Sequence, residues 1–124
     1  MSETCKTVNI NGQEYVRSDL VPATPLGDKP FVIIRSFAAG VFAGYLVSRT
    51  VEGGVVSVIL DRAIRLHRWT GCSLSQVAND GIAGTGENRF SMETNNHRVE
   101  NAIEIIPCTE KARTAIQAVK KWQL

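Results

Sequence analysis

The sequence predicts an α+β domain: an antiparallel β-sheet, a meander that is open or barrel-like, with one short helix and one C-terminal helix, preceded by a β-hairpin. Three observations predict it. Runs rich in β-branched and aromatic residues (Phe31 to Phe37, Val41 to Arg49, Val55 to Leu60) are joined by short Gly-containing links, and links that short connect antiparallel neighbours. Asn11-Gly12 separates two alternating runs, a strong hairpin signal because both central residues of a type I′ turn need positive φ. Helical spacing of apolar residues follows a capping residue at two places, Ser73 and Thr109.

In chain order, residues 1–17 form the hairpin, with strands Thr7 to Ile10 and Gln13 to Arg17. Residues 18–30 carry Pro22, Pro25, Gly27 and Pro30, which interrupt any regular element, so this stretch reads as a linker or arm leading into a core of residues 31–124. The three together make a single domain of 124 residues. Ala38-Ala39-Gly40 turns the first core strand into the second, Glu52-Gly53-Gly54 turns the second into Val55 to Leu60, and Arg62 to Trp69 extends the sheet after a bend. Ser73 caps a helix through Asn79 that Gly81 ends. Ile82 to Asn88 is loop, Arg89 to Met92 a weak strand, Asn95-Asn96-His97 a turn, and Val99 to Ile106 a strand. Thr109 opens the last helix, with Glu110 favouring its positive end and Ala112, Ile116 and Val119 as its apolar stripe.

A net charge of +2 is too small to mark a nucleic-acid binder, but its distribution is uneven: Arg62, Arg65 and Arg68 stand with no acid between them. Such a local cationic site suits a compact anion better than a long polyanion. The three cysteines, Cys5, Cys72 and Cys108, fit neither a disulfide framework nor a zinc motif and point to a reducing compartment. No stretch reaches the roughly 20 apolar residues of a membrane span, and the first residues lack a signal-peptide pattern. The cytoplasm is the expected location.

Chemistry-bearing patterns are sparse. His67 and His97 stand thirty residues apart with no ligand at metal-binding spacing. Cys72 near a helix start has no base placed beside it by sequence and reads better as a small buried apolar residue. Glu100 and Glu104 lack the pattern of an acid–base pair, and Gly84-Thr85-Gly86 lacks the Gly-Lys-Ser/Thr ending of a phosphate loop. No catalytic residue, metal or cofactor is expected. The cationic segment remains: in a strand, Ile64 and Leu66 face one way and Arg65, His67 and Trp69 the other, giving a cation-plus-ring surface. Guanidinium groups bind phosphate bidentately, and a ring beside them stacks on a base. The bland alternative is a core Trp69 with arginines paired to surface glutamates.

Val32-Ile33-Ile34-Arg35, Ala39 to Gly44, Arg62 to Gly81 and Ala102 to Ala112 together resemble, in the same order, a family of small bacteriophage proteins that includes the Thoeris anti-defence sponges. The resemblance implies a non-enzymatic protein that binds a cyclic ADP-ribose isomer made by a bacterial TIR-domain enzyme and sequesters it uncleaved. It implies a homo-oligomer, from dimer to hexamer, in the cytoplasm of the infected host, with no membrane. A separate site for cyclic oligonucleotides of the CBASS defence system is implied for some members. Trp69 matches the family's tryptophan before Gly, and Arg62 and Arg65 lie in its basic run, which assigns them base stacking and phosphate contact. Arg35 follows the Val-Ile-Ile motif, while Phe90 and Arg113 are a ring and a cation in the segments that close the pocket. The chain departs from the family at His67-Arg68, where an aromatic usually precedes Trp-Gly. The alternatives are a nucleic-acid-binding accessory protein and a virion or assembly component.

Overall fold

Strands β1 (Thr7–Ile10) and β2 (Gln13–Val16) pair antiparallel, with Ile10 opposite Gln13 and Thr7 opposite Val16, as a two-residue hairpin loop requires. They form a sheet of their own. The structure, a computed structural model, describes residues 7–10, 13–16, 21–69, 73–82 and 88–121. The expected Asn11-Gly12 turn, Cys5, Cys72 and the Gly84-Thr85-Gly86 segment lie outside the described residues.

The main sheet is antiparallel and six-stranded. It contains β3 (Phe31–Ser36), β4 (Gly40–Glu52), β5 (Val55–Arg68), β6 (Arg89–Phe90), β7 (His97–Val99) and β8 (Ala102–Pro107). The order across it is β6-β5-β4-β3-β8, with β7 also paired to β5. Helices α1 (Leu74–Asp80) and α2 (Glu110–Ala118) pack on one face. Because both faces of β3 are covered, Val32, Ile33 and Ile34 are all buried, and no polar alternation is possible there. Phe31, Ile33, Tyr45, Ile64 and Leu66 face the helices, where Val77, Ala112 and Ile116 meet them. On the other face Val32, Ile34, Phe42, Val58, Leu60 and Val99 form a second core.

That second core exists because the sheet curls. β7 and β8 are separated only by Glu100 and Asn101, and β7 pairs with β5 while β8 pairs with β3. The sheet wraps around the second core without closing into a barrel, so the open form of the two expected sheets is the one present. Asn101 takes a positive φ of 56°, a conformation that asparagine tolerates. It splits the single strand expected over Val99 to Ile106 into two and draws His97 into β7. Val55 to Leu60 and the basic run, expected as separate pieces, form one strand that ends just before Trp69.

Residues 21–30 are tied down more than a linker reading allows. The Ala23 N–H donates to the Cys108 carbonyl at 3.1 Å, and the Glu110 N–H donates to the Val21 carbonyl at 2.8 Å. These bonds lay the arm across the start of α2. Both predicted caps are present: Ser73 accepts from the Gln76 N–H, and Thr109 accepts from the Ala112 N–H at 3.1 Å. The Thr109 hydroxyl also donates to the Asn79 carbonyl at 2.5 Å, linking the two helices.

Candidate functional site

The site begins with a break in strand pairing. The register between β4 and β5 shifts between Ala43 and Tyr45, and opposite that shift Arg62 has φ of 50°. Gly44 makes this approach possible: a Cβ there would lie 3.1 Å from both the Ala63 Cα and the Asp61 carbonyl oxygen. A bulge re-aims the side chain it carries. Here the Arg62 guanidinium comes to 6.0 Å from the centroid of the Tyr45 ring. Glu93 grips it with both oxygens, accepting from Nε and Nη2 at 3.1 Å each.

The loop that delivers Glu93 is itself pinned. The Arg62 N–H donates to Asn95 Oδ1 at 3.0 Å, and the Asn96 N–H donates to Asp61 Oδ1 at 2.9 Å. Lys29 donates to the other Asp61 oxygen at 3.1 Å. The Asn96 N–H first, then Lys29, hold the Asp61 carboxyl below its ordinary value.

From the other side α2 contributes a second guanidinium. Arg113 donates from Nε to Glu110 Oε1 at 3.0 Å, from Nη2 to Glu110 Oε2, and from Nη1 to Gln117 Oε1 at 2.8 Å. Nη1 also lies 3.5 Å from the Tyr45 hydroxyl, to which the Gln117 amide donates at 3.1 Å. Arg113 and then the Thr24 N–H bring the Glu110 carboxyl down to about 2, and Glu110 holds Arg113 more firmly protonated in return. Lys121 donates to the Gln117 and Val119 carbonyls at 3.4 and 3.2 Å. Burial, with Arg62 nearby, lowers its ammonium's value, and Glu93 opposes that shift. Arg62 and Arg113 thus converge on Tyr45 with Glu93 and Glu110, and Lys121 lies within electrostatic reach of Arg62 and Glu93, which leaves one net positive charge among the five. Glu110 also borders an open trough of about 510 Å³ lined by Val21, Lys111, Thr114, Ala115 and Ala118.

Of the six residues picked from the sequence, the structure brings two together: Arg62 and Arg113. Arg65 lies on the opposite face of the sheet, its guanidinium 4.7 Å from the Phe42 ring centroid. Trp69 is half-buried against the helix-side core, seven residues beyond Arg62, a span of about 23 Å along a strand. Arg35 stands apart near β8, half-exposed and paired with Glu104 at 2.8 Å. Phe90 is a correction: it lies opposite Leu66 in the β5–β6 pairing and is fully buried, so its ring offers no face to a ligand.

The expected cation-plus-ring surface is also corrected. Alternation holds at Ile64, Arg65 and Leu66, but the pairing of β5 with β6 shifts between Leu66 and Arg68, and Trp69 falls on the helix side instead of beside Arg65. Tyr45, Glu93, Gln117 and Lys121 carry no site signal in the sequence; they are distinguished only by their placement in the fold.

Burial pushes the Cys108 thiol up to about 12, which leaves it a protonated packing residue. Among the described residues no three His, Cys, Asp or Glu side chains gather to hold a metal, and no helix is long and apolar enough to cross a membrane. A family described as Domain of unknown function (DUF6948) matches residues 29–116, a span that takes in the main sheet, Arg62, Glu93, Glu110 and Arg113. Searches of curated proteins and of solved structures found no match.

Proposed function

The chain belongs to this family of unknown function, and from that premise we propose that it binds and sequesters a compact phosphorylated nucleotide of the cyclic ADP-ribose type without cleaving it. On this reading it is a phage-encoded sponge that keeps a TIR-derived signal from its effector in the host cytoplasm. The observation that carries the proposal is the convergence of Arg62 and Arg113 on Tyr45. Arg62 occupies a backbone conformation that disfavours any residue but glycine, asparagine or aspartate, and such an outlier points to a role for the side chain. Glu93 and Glu110 hold the two forks in fixed orientation, so a diphosphate meets cations already ordered. The Val21 to Ala118 trough adjoins Glu110 and offers an apolar place for the ligand's rings beside the charges. Within one chain Trp69 is too far along β5 to stack on a ligand held by Arg62. Its stacking role therefore requires a neighbouring copy, consistent with the homo-oligomer the resemblance implies.

The test is recovery of ligand. Protein purified from cells making TIR-derived cyclic nucleotides is heat-denatured, and the released small molecules are read by mass spectrometry. The expected result is an intact cyclic nucleotide, lost in Arg62→Gly. Recovery of nothing, or of a hydrolysed product, overturns the reading. Binding to nucleic acid that weakens with salt at a slope of several phosphates would replace it with the accessory-protein alternative.

A further inference from the structure

On the face of the sheet away from the helices, one cation of the basic run stands without a carboxylate. The Arg65 guanidinium lies over Phe42, 4.7 Å from its centroid, and the His97 ring lies 5.1 Å from the same centroid, tilted by 58°. Phe42 is buried, so the two polar groups share one apolar floor, while both are only half-buried themselves. A guanidinium stacked on a ring keeps its N–H groups directed sideways, in the geometry that meets an oxyanion. His97 Nδ1 is 2.7 Å from Thr94 Oγ1, so Nε2 is the nitrogen that Thr94 does not engage.

The carboxylates of the surrounding elements are engaged elsewhere. On β5, Asp61 is held by Lys29 and the Asn96 N–H. In the 91–96 loop Glu93 grips Arg62, and beside β7 Glu100 accepts from Arg98 and Ser57. Among the described residues, the Arg65 guanidinium has no ion pair.

We propose that Arg65 and His97 form a binding site for a single phosphate-sized oxyanion, carried on the Phe42 ring and separate from the Arg62–Arg113 cluster. Its ligand class is a phosphoryl or sulfate group, terminal on a larger molecule or free. The inference is independent of the sponge reading, because the two sites lie on opposite faces of the sheet and share no residue.

The site makes anion affinity depend on pH. In the unliganded protein, burial first and Arg65 second keep the His97 imidazole below its ordinary value of 6.5. A bound dianion offsets Arg65 and favours the protonated ring, so it raises the His97 value. By linkage the dianion then binds more tightly as pH falls through that range.

The experiment follows the ring resonances of His97 by NMR across pH, with and without inorganic phosphate, in the full chain. His67→Gln serves to assign the two histidines. The expected result is a phosphate-dependent rise of about one unit, equivalent to about tenfold tighter binding of the phosphate dianion to the protonated than to the neutral ring. In Arg65→Gln the unliganded His97 value should rise and the phosphate effect disappear. His97→Gln, which keeps a polar partner for Thr94, should retain weak phosphate binding by ³¹P NMR and keep only the pH dependence that comes from phosphate's own ionisation. A His97 titration that phosphate does not move, or that it moves equally in Arg65→Gln, overturns the proposal. If Arg65→Gln fails to fold, the wild-type titration and His97→Gln still decide it.

Discussion

Arg62 carries about 1–3 kcal/mol of backbone strain, the usual cost of a non-glycine residue in the left-handed region. Its ion pair with Glu93 is partly exposed and returns only about 0–1 kcal/mol. Strain and pair together say what substitution should do. Glycine relieves the backbone and loses the pair, so Arg62→Gly is expected to unfold in urea within about 1 kcal/mol of wild type. Valine, β-branched and ill-suited to positive φ, keeps the strain and adds to it, so Arg62→Val should be less stable by about 1–3 kcal/mol. Equal stability of the two variants would show that the left-handed backbone carries no such cost. The sequence reading keeps Arg62 and Arg65 together at one phosphate site, whereas the structure sets them against rings on opposite faces of the sheet. What the sequence could not supply was the bulge opposite Gly44, which depends on a cross-strand contact, or the shift past Leu66 that parts Trp69 from Arg65.

Helix α2 is where the arm, the sheet and the candidate site meet, and Glu110 is the shared residue. Its carboxylate accepts from the Thr24 N–H at 2.6 Å and from Arg113, which in turn reaches Tyr45 on β4. The folded-state value of about 2 lies below the ordinary 4.5, so the native protein favours the ionised form. The stability this gives is fully present above about pH 4.5 and is lost as pH falls towards about 2. Comparing thermal unfolding of wild type and Glu110→Gln across that window isolates the effect from Asp61 and Glu100, whose carboxyls are also lowered. The gap between the two proteins should be widest near neutral pH and narrow steadily below about pH 4.5. A gap that does not change with pH would mean that Glu110 acts by shape alone. The helix itself was legible, because Thr109, Glu110 and the Ala112 and Ile116 stripe are local signals. Its partners were not: Glu110 bonds a residue 86 positions earlier, and no local pattern encodes such a contact.

At the scale of the whole molecule, the chain divides at the arm, but not where its prolines suggest. The prolines fall between residues 22 and 30, yet Val21, Ala23 and Thr24 are bonded to the start of α2, and the Pro30 carbonyl accepts from the Leu46 N–H at 2.8 Å. β1 and β2, by contrast, pair only with each other among the described strands, and an isolated two-stranded hairpin is marginal in water. Both hydrophobic cores are built by the curled sheet, the two helices and the segments that join them. A chain beginning at Val21 is therefore expected to melt within a few degrees of the full-length protein, since a change under about 1 kcal/mol shifts a domain this size by no more than about 4–8 °C. A chain beginning at Pro30 loses the bonds from Val21, Ala23 and Thr24, each worth about 0.5–1.5 kcal/mol, and should be less stable by about 2–4 kcal/mol. Amide exchange in the first turn of α2 should quicken in the shorter chain only, because that is where the lost bonds end. If removing residues 1–20 alone already exposes α2 to exchange, the hairpin is part of the core and the division falls somewhere else.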